Sequence, residues 1–129
     1  MYPQIWNRVT RSTHKGVSAI LKGYGIYRVH GEVYPGVILT QPQDQVEGIL
    51  YRDVSEIELS RLDAFEGEMY ERVQVMVELP PECHLQESFV YRIHPDFRNE
   101  LTRDPWTSIW FEQHGLKLFE KEYQGFHKL

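Results

Sequence analysis

The chain has 129 residues, a formal net charge of −5 and a pI near 5.7, with 41% hydrophobic and 13% aromatic residues. That is the size of one domain spanning 1–129, with enough apolar surface to close a core and a composition outside the disordered class. The acidic balance argues against nucleic-acid binding, and the absence of a long apolar run or a leader-like N-terminus argues against a membrane span or secretion. The single cysteine, Cys83, precludes an internal disulfide framework and points to a reducing, cytoplasmic compartment.

Pro3, Ile5, Trp6 and Val9 predict a short opening helix, since Pro suits a first helical position and Ile5 and Val9 stand at i, i+4. Residues 19–30 are rich in β-branched and aromatic types, with a bend at Gly23 and Gly25 and a turn at His30-Gly31-Glu32. Val37-Ile38-Leu39 reads as a short strand buried on both faces. A polar loop follows, and then a second strand over Val46 to Tyr51. Ser55 and Glu58 have the spacing of a capping box at a helix start. Leu59, Leu62 and Phe65 mark the apolar face of that helix, and Gly67 marks its end. Val73, Val75, Val77 and Leu79 alternate with polar residues, as do Phe89, Tyr91 and Ile93, so a hairpin across Pro80-Pro81 is expected. Asp104-Pro105 predicts a last helix carrying Trp106, Ile109 and Trp110, with Leu116, Phe119 and Tyr123 in phase beyond it. Short connections and a lone helix between strands favour a mixed, mainly antiparallel sheet, an α+β domain resembling a partly closed barrel, over a doubly wound fold.

Most routes to chemistry are closed. Six histidines are scattered without the spacing of a metal site, so no metal or other cofactor is expected. There is no G-x-S-x-G and no Walker A sequence, and Cys83 follows Glu82 in a setting that does not activate a thiol. Carboxylates remain. Glu66 follows Phe65 in the last helical turn, before Gly67, where the negative end of the helix dipole disfavours an acid by roughly 0.3–1 kcal/mol. An acid placed against local preference points to a role beyond solubility. The alternative is a solvated side chain paired with Arg61 or Arg72.

The run Leu62-Asp63-Ala64-Phe65-Glu66-Gly67, followed by Tyr70-Glu71-Arg72, resembles the signature of the γ-glutamylcyclotransferase-like family, which includes γ-glutamylamine cyclotransferases and avirulence-induced-gene-like proteins. Leu21-Lys22-Gly23-Tyr24, Gly31 to Val37, Val46 to Tyr51 and Val90-Tyr91 resemble further family segments in the family's order. The resemblance implies a small mixed, mainly antiparallel β-barrel with a few helices. It also implies a pocket in which one glutamate acts as acid and base on a small-molecule γ-glutamyl amide, releasing 5-oxoproline. Glu66 stands at the position of that glutamate, Tyr70 and Tyr91 at those of pocket tyrosines, and Tyr34-Pro35 at the pocket edge. Family members open with a strand ending in Tyr-Gly-Thr-Leu or Tyr-Gly-Ser-Leu, whose backbone amides hold the substrate; this sequence starts at the segment that follows it. Either that strand is encoded upstream of Met1 and completes the site, or the chain is a shortened relative, in which an uncovered sheet edge would suit a homodimer or a partner strand. The rival reading is a non-catalytic binding or interaction module on the same fold, with the acidic stretch from Glu66 to Glu71 meeting a cationic ligand.

Overall fold

The computed structural model describes residues 1–117, so Phe119 and Tyr123 of the predicted last stripe lie outside the described residues. The chain opens with α1 (Pro3–Thr10), which places Pro3 in the first turn, where no intrahelical donor is lost. Ile5, Trp6 and Val9 are buried, as their spacing predicts. There follow β1 (Gly16–Lys22), β2 (Tyr24–Val29), β3 (Pro35–Leu39), β4 (Gln45–Tyr51), α2 (Glu56–Glu66), β5 (Tyr70–Leu79) and β6 (His84–Ile93). A 3-10 turn (Pro95–Glu100), β7 (Leu101–Pro105) and α3 (Ser108–His114) complete the order.

The strands form two antiparallel sheets, one ordered β4-β1-β5-β6 and the other β3-β2-β7. This is the expected α+β class with antiparallel pairing, but the expected barrel is not closed. Gly23, at φ 83°, turns the chain from β1 into β2 and so from one sheet to the other, in a backbone region that side chains with a Cβ rarely adopt. The hairpin of β5 and β6 is in continuous register from Tyr70↔Ile93 to Leu79↔His84. β1 pairs with β4 over its whole length, from Gly16↔Tyr51 to Lys22↔Gln45.

Three expectations need correction. Residues 101–105 form a strand rather than the start of a helix: Tyr27 pairs with Pro105, and Thr102 Oγ1 donates to the Arg28 carbonyl at 3.0 Å. β7 is an edge strand, where the missing N–H of a proline is tolerated. The helix instead starts after Thr107, whose Oγ1 accepts from Trp110 N at 3.1 Å, and Phe111 takes the buried position while Ile109 stays 65% exposed. Leu39 is exposed, so β3 is not buried on both faces. Phe89 is exposed too, lying under the Arg72 guanidinium, and Val90 points to the core in its place.

Two apolar clusters result. One gathers Ile5, Trp6, Val9, Leu62 and Phe111 from the three helices. The other gathers Ala19, Leu21 and Val77 on the inner face of the four-stranded sheet. α2 is locked to the first cluster by a buried polar network at its N-terminus. Ser55 and Glu58 form the reciprocal capping box, with Ser55 N donating to Glu58 Oε1 at 2.9 Å and Glu58 N donating to Ser55 Oγ at 3.3 Å. The same carboxylate accepts the Ser12 hydroxyl and lies 3.2 Å from His14 Nε2. Trp6 Nε1–H donates to His14 Nδ1 at 3.0 Å, so Nδ1 is the acceptor and Nε2 is the nitrogen that gives its hydrogen to Glu58. These donors, the Ser12 hydroxyl first, hold the Glu58 carboxyl down at about 2. Among the described residues no helix is long and apolar enough to cross a membrane.

Candidate active site

The C-terminal end of α2 lies at a cavity of about 1010 Å³. All five residues singled out from sequence, Glu66, Tyr34, Pro35, Tyr70 and Tyr91, line it. They come from four places in the chain: the last turn of α2, the entry into β3, the start of β5 and the C-terminal part of β6. Gly67 ends the helix at φ 74°, with its N–H donating to the Asp63 carbonyl at 3.0 Å. The stop is abrupt, and β5 begins at Tyr70 and carries Tyr70 back toward Glu66.

Glu66 is half-buried by residue, and it meets the opposite environment from Glu58. Burial pushes its carboxyl up to about 7; the α-ammonium of Met1 opposes the rise, and the negative charge of Asp63 adds to it. The solvated ion-pair alternative does not describe it. Arg61 Nη1 donates to the Thr10 carbonyl at 2.9 Å, and Arg72 Nε lies 3.2 Å from Asp63 Oδ1.

The tyrosines are held by specific bonds. Tyr70 Oη donates to the Pro35 carbonyl at 2.6 Å, joining the first strand of the hairpin to β3 of the other sheet. Tyr34 stands edge-on to Tyr70 with ring centroids 6.5 Å apart. Tyr91 Oη donates to the Asp63 carboxylate, and burial together with that bond drives its pKa upward. Sequence reasoning gave no role to Asp63 and offered Arg72 only as an ion-pair partner for Glu66, although both stand in the motif that singled out Glu66. The available signal was the i, i+3 spacing of Asp63 and Glu66, which puts two carboxylates on one helical face, one turn apart.

A carboxyl with a pKa near neutrality, in a cavity walled by aromatic and aliphatic side chains, can take up a proton and give it back within one reaction cycle. Among the described residues no three His, Cys, Asp or Glu side chains converge as a metal centre would require.

Comparison with known proteins gives a consistent picture. Residues 1–110 match the family described as gamma-glutamyl cyclotransferase, AIG2-like. AIG2-like protein C of Arabidopsis thaliana is 34% identical over 94 residues, 70% of this chain and 54% of its own length. AIG2-like protein A of the same plant is 37% identical over 73 residues, 57% of this chain and 44% of its own. The chain thus spans about half the length of these curated relatives. Two Arabidopsis thaliana proteins with solution structures share the fold. One has a TM-score of 0.72 at 25% identity, over 96% of this chain and 74% of that one. The other has a TM-score of 0.66 at 27% identity, over 95% and 80%.

Proposed function

The chain belongs to the gamma-glutamyl cyclotransferase, AIG2-like family, and from that premise we propose that it releases 5-oxoproline and a free amine from a γ-glutamyl amide, with Glu66 as acid and base. The observation that carries the reading is the Glu66 carboxyl in an apolar cavity, with its proton affinity raised to about 7.

A γ-glutamyl amide holds its own nucleophile, the α-amine, a few atoms from the carbonyl it must attack. The reaction needs no serine, cysteine or metal. Glu66 as carboxylate takes one proton from the α-ammonium. The freed amine attacks the γ-carbonyl carbon, forming the C–N bond of a five-membered ring and a tetrahedral oxyanion. Glu66, now protonated, gives that proton to the leaving nitrogen as the amide C–N bond breaks, then takes the second proton from the ring nitrogen and passes it to the released amine, leaving a neutral lactam and an ammonium product. A pKa near 7 suits both halves, because a stronger acid would be a poor base and a weaker one a poor donor. Ring closure gains from proximity, so the cavity has chiefly to select the folded substrate conformer. Tyr34, Tyr70 and Tyr91 wall the substrate, and Pro35 sets the cavity edge through its carbonyl bond to Tyr70.

The experiment is 5-oxoproline release from a panel of γ-glutamyl amines, measured by chromatography for wild type and Glu66→Gln. Turnover by the wild type and its loss in the variant is the expected result. Equal rates in the two proteins would remove Glu66 from the mechanism.

A further inference from the structure

A γ-glutamyl group carries an α-carboxylate as well as the α-amine that Glu66 serves. Ring closure removes the charge of the amine and leaves that of the carboxylate, so the site has to hold an anion from substrate to product. An anion in a cavity walled largely by apolar side chains is costly unless a cation pairs with it. Among the described side chains on the cavity wall the cations are Arg52 and Arg72. Arg52 stands just beyond β4, and no bond among the described residues ties it to the end of α2. The α-ammonium of Met1 faces Glu66, but burial lowers its pKa and weakens its hold on a charge, whereas a guanidinium keeps its own.

Arg72 is tied to the reacting end of the cavity. Its Nε lies 3.2 Å from Asp63 Oδ1, the same oxygen that accepts the Tyr91 hydroxyl. Arg72 and Tyr91 are directly opposite in the hairpin, so their side chains share one face of the sheet. The guanidinium carbon lies 5.2 Å from the centre of the Phe89 ring, which supports the group from a second side. With Nε turned to Asp63, the edge formed by Nη1 and Nη2 is left, and no partner for it is present among the described residues. That edge offers two parallel donors, the geometry that matches the two oxygens of a carboxylate. Asp63 precedes Glu66 by one turn on the same helical face, and the Tyr91 phenol feels both the negative charge of Glu66 and the positive charge of Arg72. The amine and carboxylate of a γ-glutamyl group stand on one carbon, so the donor for the carboxylate must lie within such a reach of Glu66.

We propose that the Arg72 guanidinium binds the α-carboxylate of the substrate and so restricts the site to γ-glutamyl compounds in which that carboxylate is free. The inference rests on the reading of Glu66 given above and names what holds the part of the substrate that Glu66 does not touch. Asp63 and Phe89 fix the fork of the guanidinium before substrate arrives, so little side-chain freedom is lost on binding. Amides of 4-aminobutyrate have the same chain and amine without the α-carboxylate, and γ-glutamyl amides esterified at the α-carboxyl have it blocked; both lack the group that Arg72 recognises. The Arg72 side chain is 30% exposed, so solvent screening keeps the expected effect moderate.

The test compares 5-oxoproline with 2-pyrrolidone, the same ring without the carboxylate. Each is titrated into the full chain at about pH 6, where Glu66 is mostly protonated, and followed by NMR chemical shifts. The wild type should bind 5-oxoproline at least about tenfold more tightly. Arg72→Gln should lower that affinity roughly 10- to 100-fold, the worth of hydrogen bonds to a charged group, and leave 2-pyrrolidone binding unchanged, which also reports an intact cavity. Arg72→Lys keeps the charge without the fork and should lose part of the preference, about severalfold. If Arg72→Gln loses both rings through misfolding, Arg72→Lys decides by the same comparison. In turnover Arg72→Gln should raise KM with kcat nearly kept, whereas Glu66→Gln should lose kcat and still bind 5-oxoproline, so the two readings fail separately. The proposal is overturned by equal affinities for the two rings in the wild type, by binding of neither at millimolar concentration, or by a preference that survives undiminished in either Arg72 variant.

Discussion

The two ends of α2 carry the same side chain in opposite states. Glu58, in the first turn, is held at about 2, and Glu66, in the last, is raised to about 7. Eight residues separate them, a little over two helical turns, or about 12 Å. Burial at Glu66 and the Ser12 hydroxyl at Glu58 account for most of the difference, and the direction of the helix adds to it. Its N-terminus offers backbone N–H groups without partners, and Glu58 receives one of these from Ser55 along with the Ser12 hydroxyl and the His14 ring. Its C-terminus offers carbonyl oxygens, which repel a carboxylate, and beyond it the chain supplies burial and the charge of Asp63. One glutamate is charged and fully partnered; the other is held near neutrality at a cost to the fold.

The sharpest break in that comparison is kinetic. Glu66→Gln should lower 5-oxoproline release by about 10²–10⁴-fold, the usual worth of a positioned acid–base group, whereas Glu58→Gln should leave turnover per folded molecule within a small factor. Stability reverses the ranking. Glu58→Ala strands the donors of Ser12 and His14 in a buried setting and should cost about 3 kcal/mol in denaturant titration at neutral pH. Folding lowers the Glu58 pKa from 4.5 to about 2, so the charged carboxylate contributes stability above about pH 4.5, and the contribution is lost as pH falls through about 2. The deficit of the alanine variant should shrink over that window.

Glu66 has the opposite linkage. Folding raises its pKa from 4.5 to about 7, so the folded state holds the proton more tightly, and stability falls as pH climbs between those values. Glu66→Gln should therefore be more stable than wild type by about 3 kcal/mol near pH 8 and indistinguishable near pH 4, read from paired melts. A variant that is inactive yet more stable is the mark of a side chain kept for function. The smallest effect belongs to Asp63→Asn. Removing a neighbouring negative charge should move the Glu66 midpoint, and with it the acid limb of the pH–rate profile, to lower pH. An unmoved limb would assign Asp63 to holding Tyr91 and Arg72 alone.

Much of this was legible in the sequence because it is local. The Ser55–Glu58 box, the Gly67 stop and the alternation of β5 each lie within a dozen residues, and each has a direct physical reading. Glu66 stood out through a local conflict, an acid at the wrong end of a helix. The partners Ser12 and His14 were not legible, since a polar loop more than 40 residues away carries no period that would aim it at Glu58. β7 was misread because Asp104-Pro105 is a sound helix opening by local rules; only pairing with β2, some 75 residues earlier, makes it a strand. The open barrel is of the same kind, since whether two edges meet is decided by the curl of a whole sheet rather than by any segment.

The phenol bonds described above limit the vocabulary of the cavity. Tyr70 has committed its hydrogen to a backbone oxygen, and Tyr91 has committed its own to a carboxylate. Neither has that hydrogen left to give to a visiting group. A group lodged against these two rings must therefore find its hydrogen-bond donors elsewhere in the cavity, so the phenols shape the space with their faces rather than by giving hydrogens.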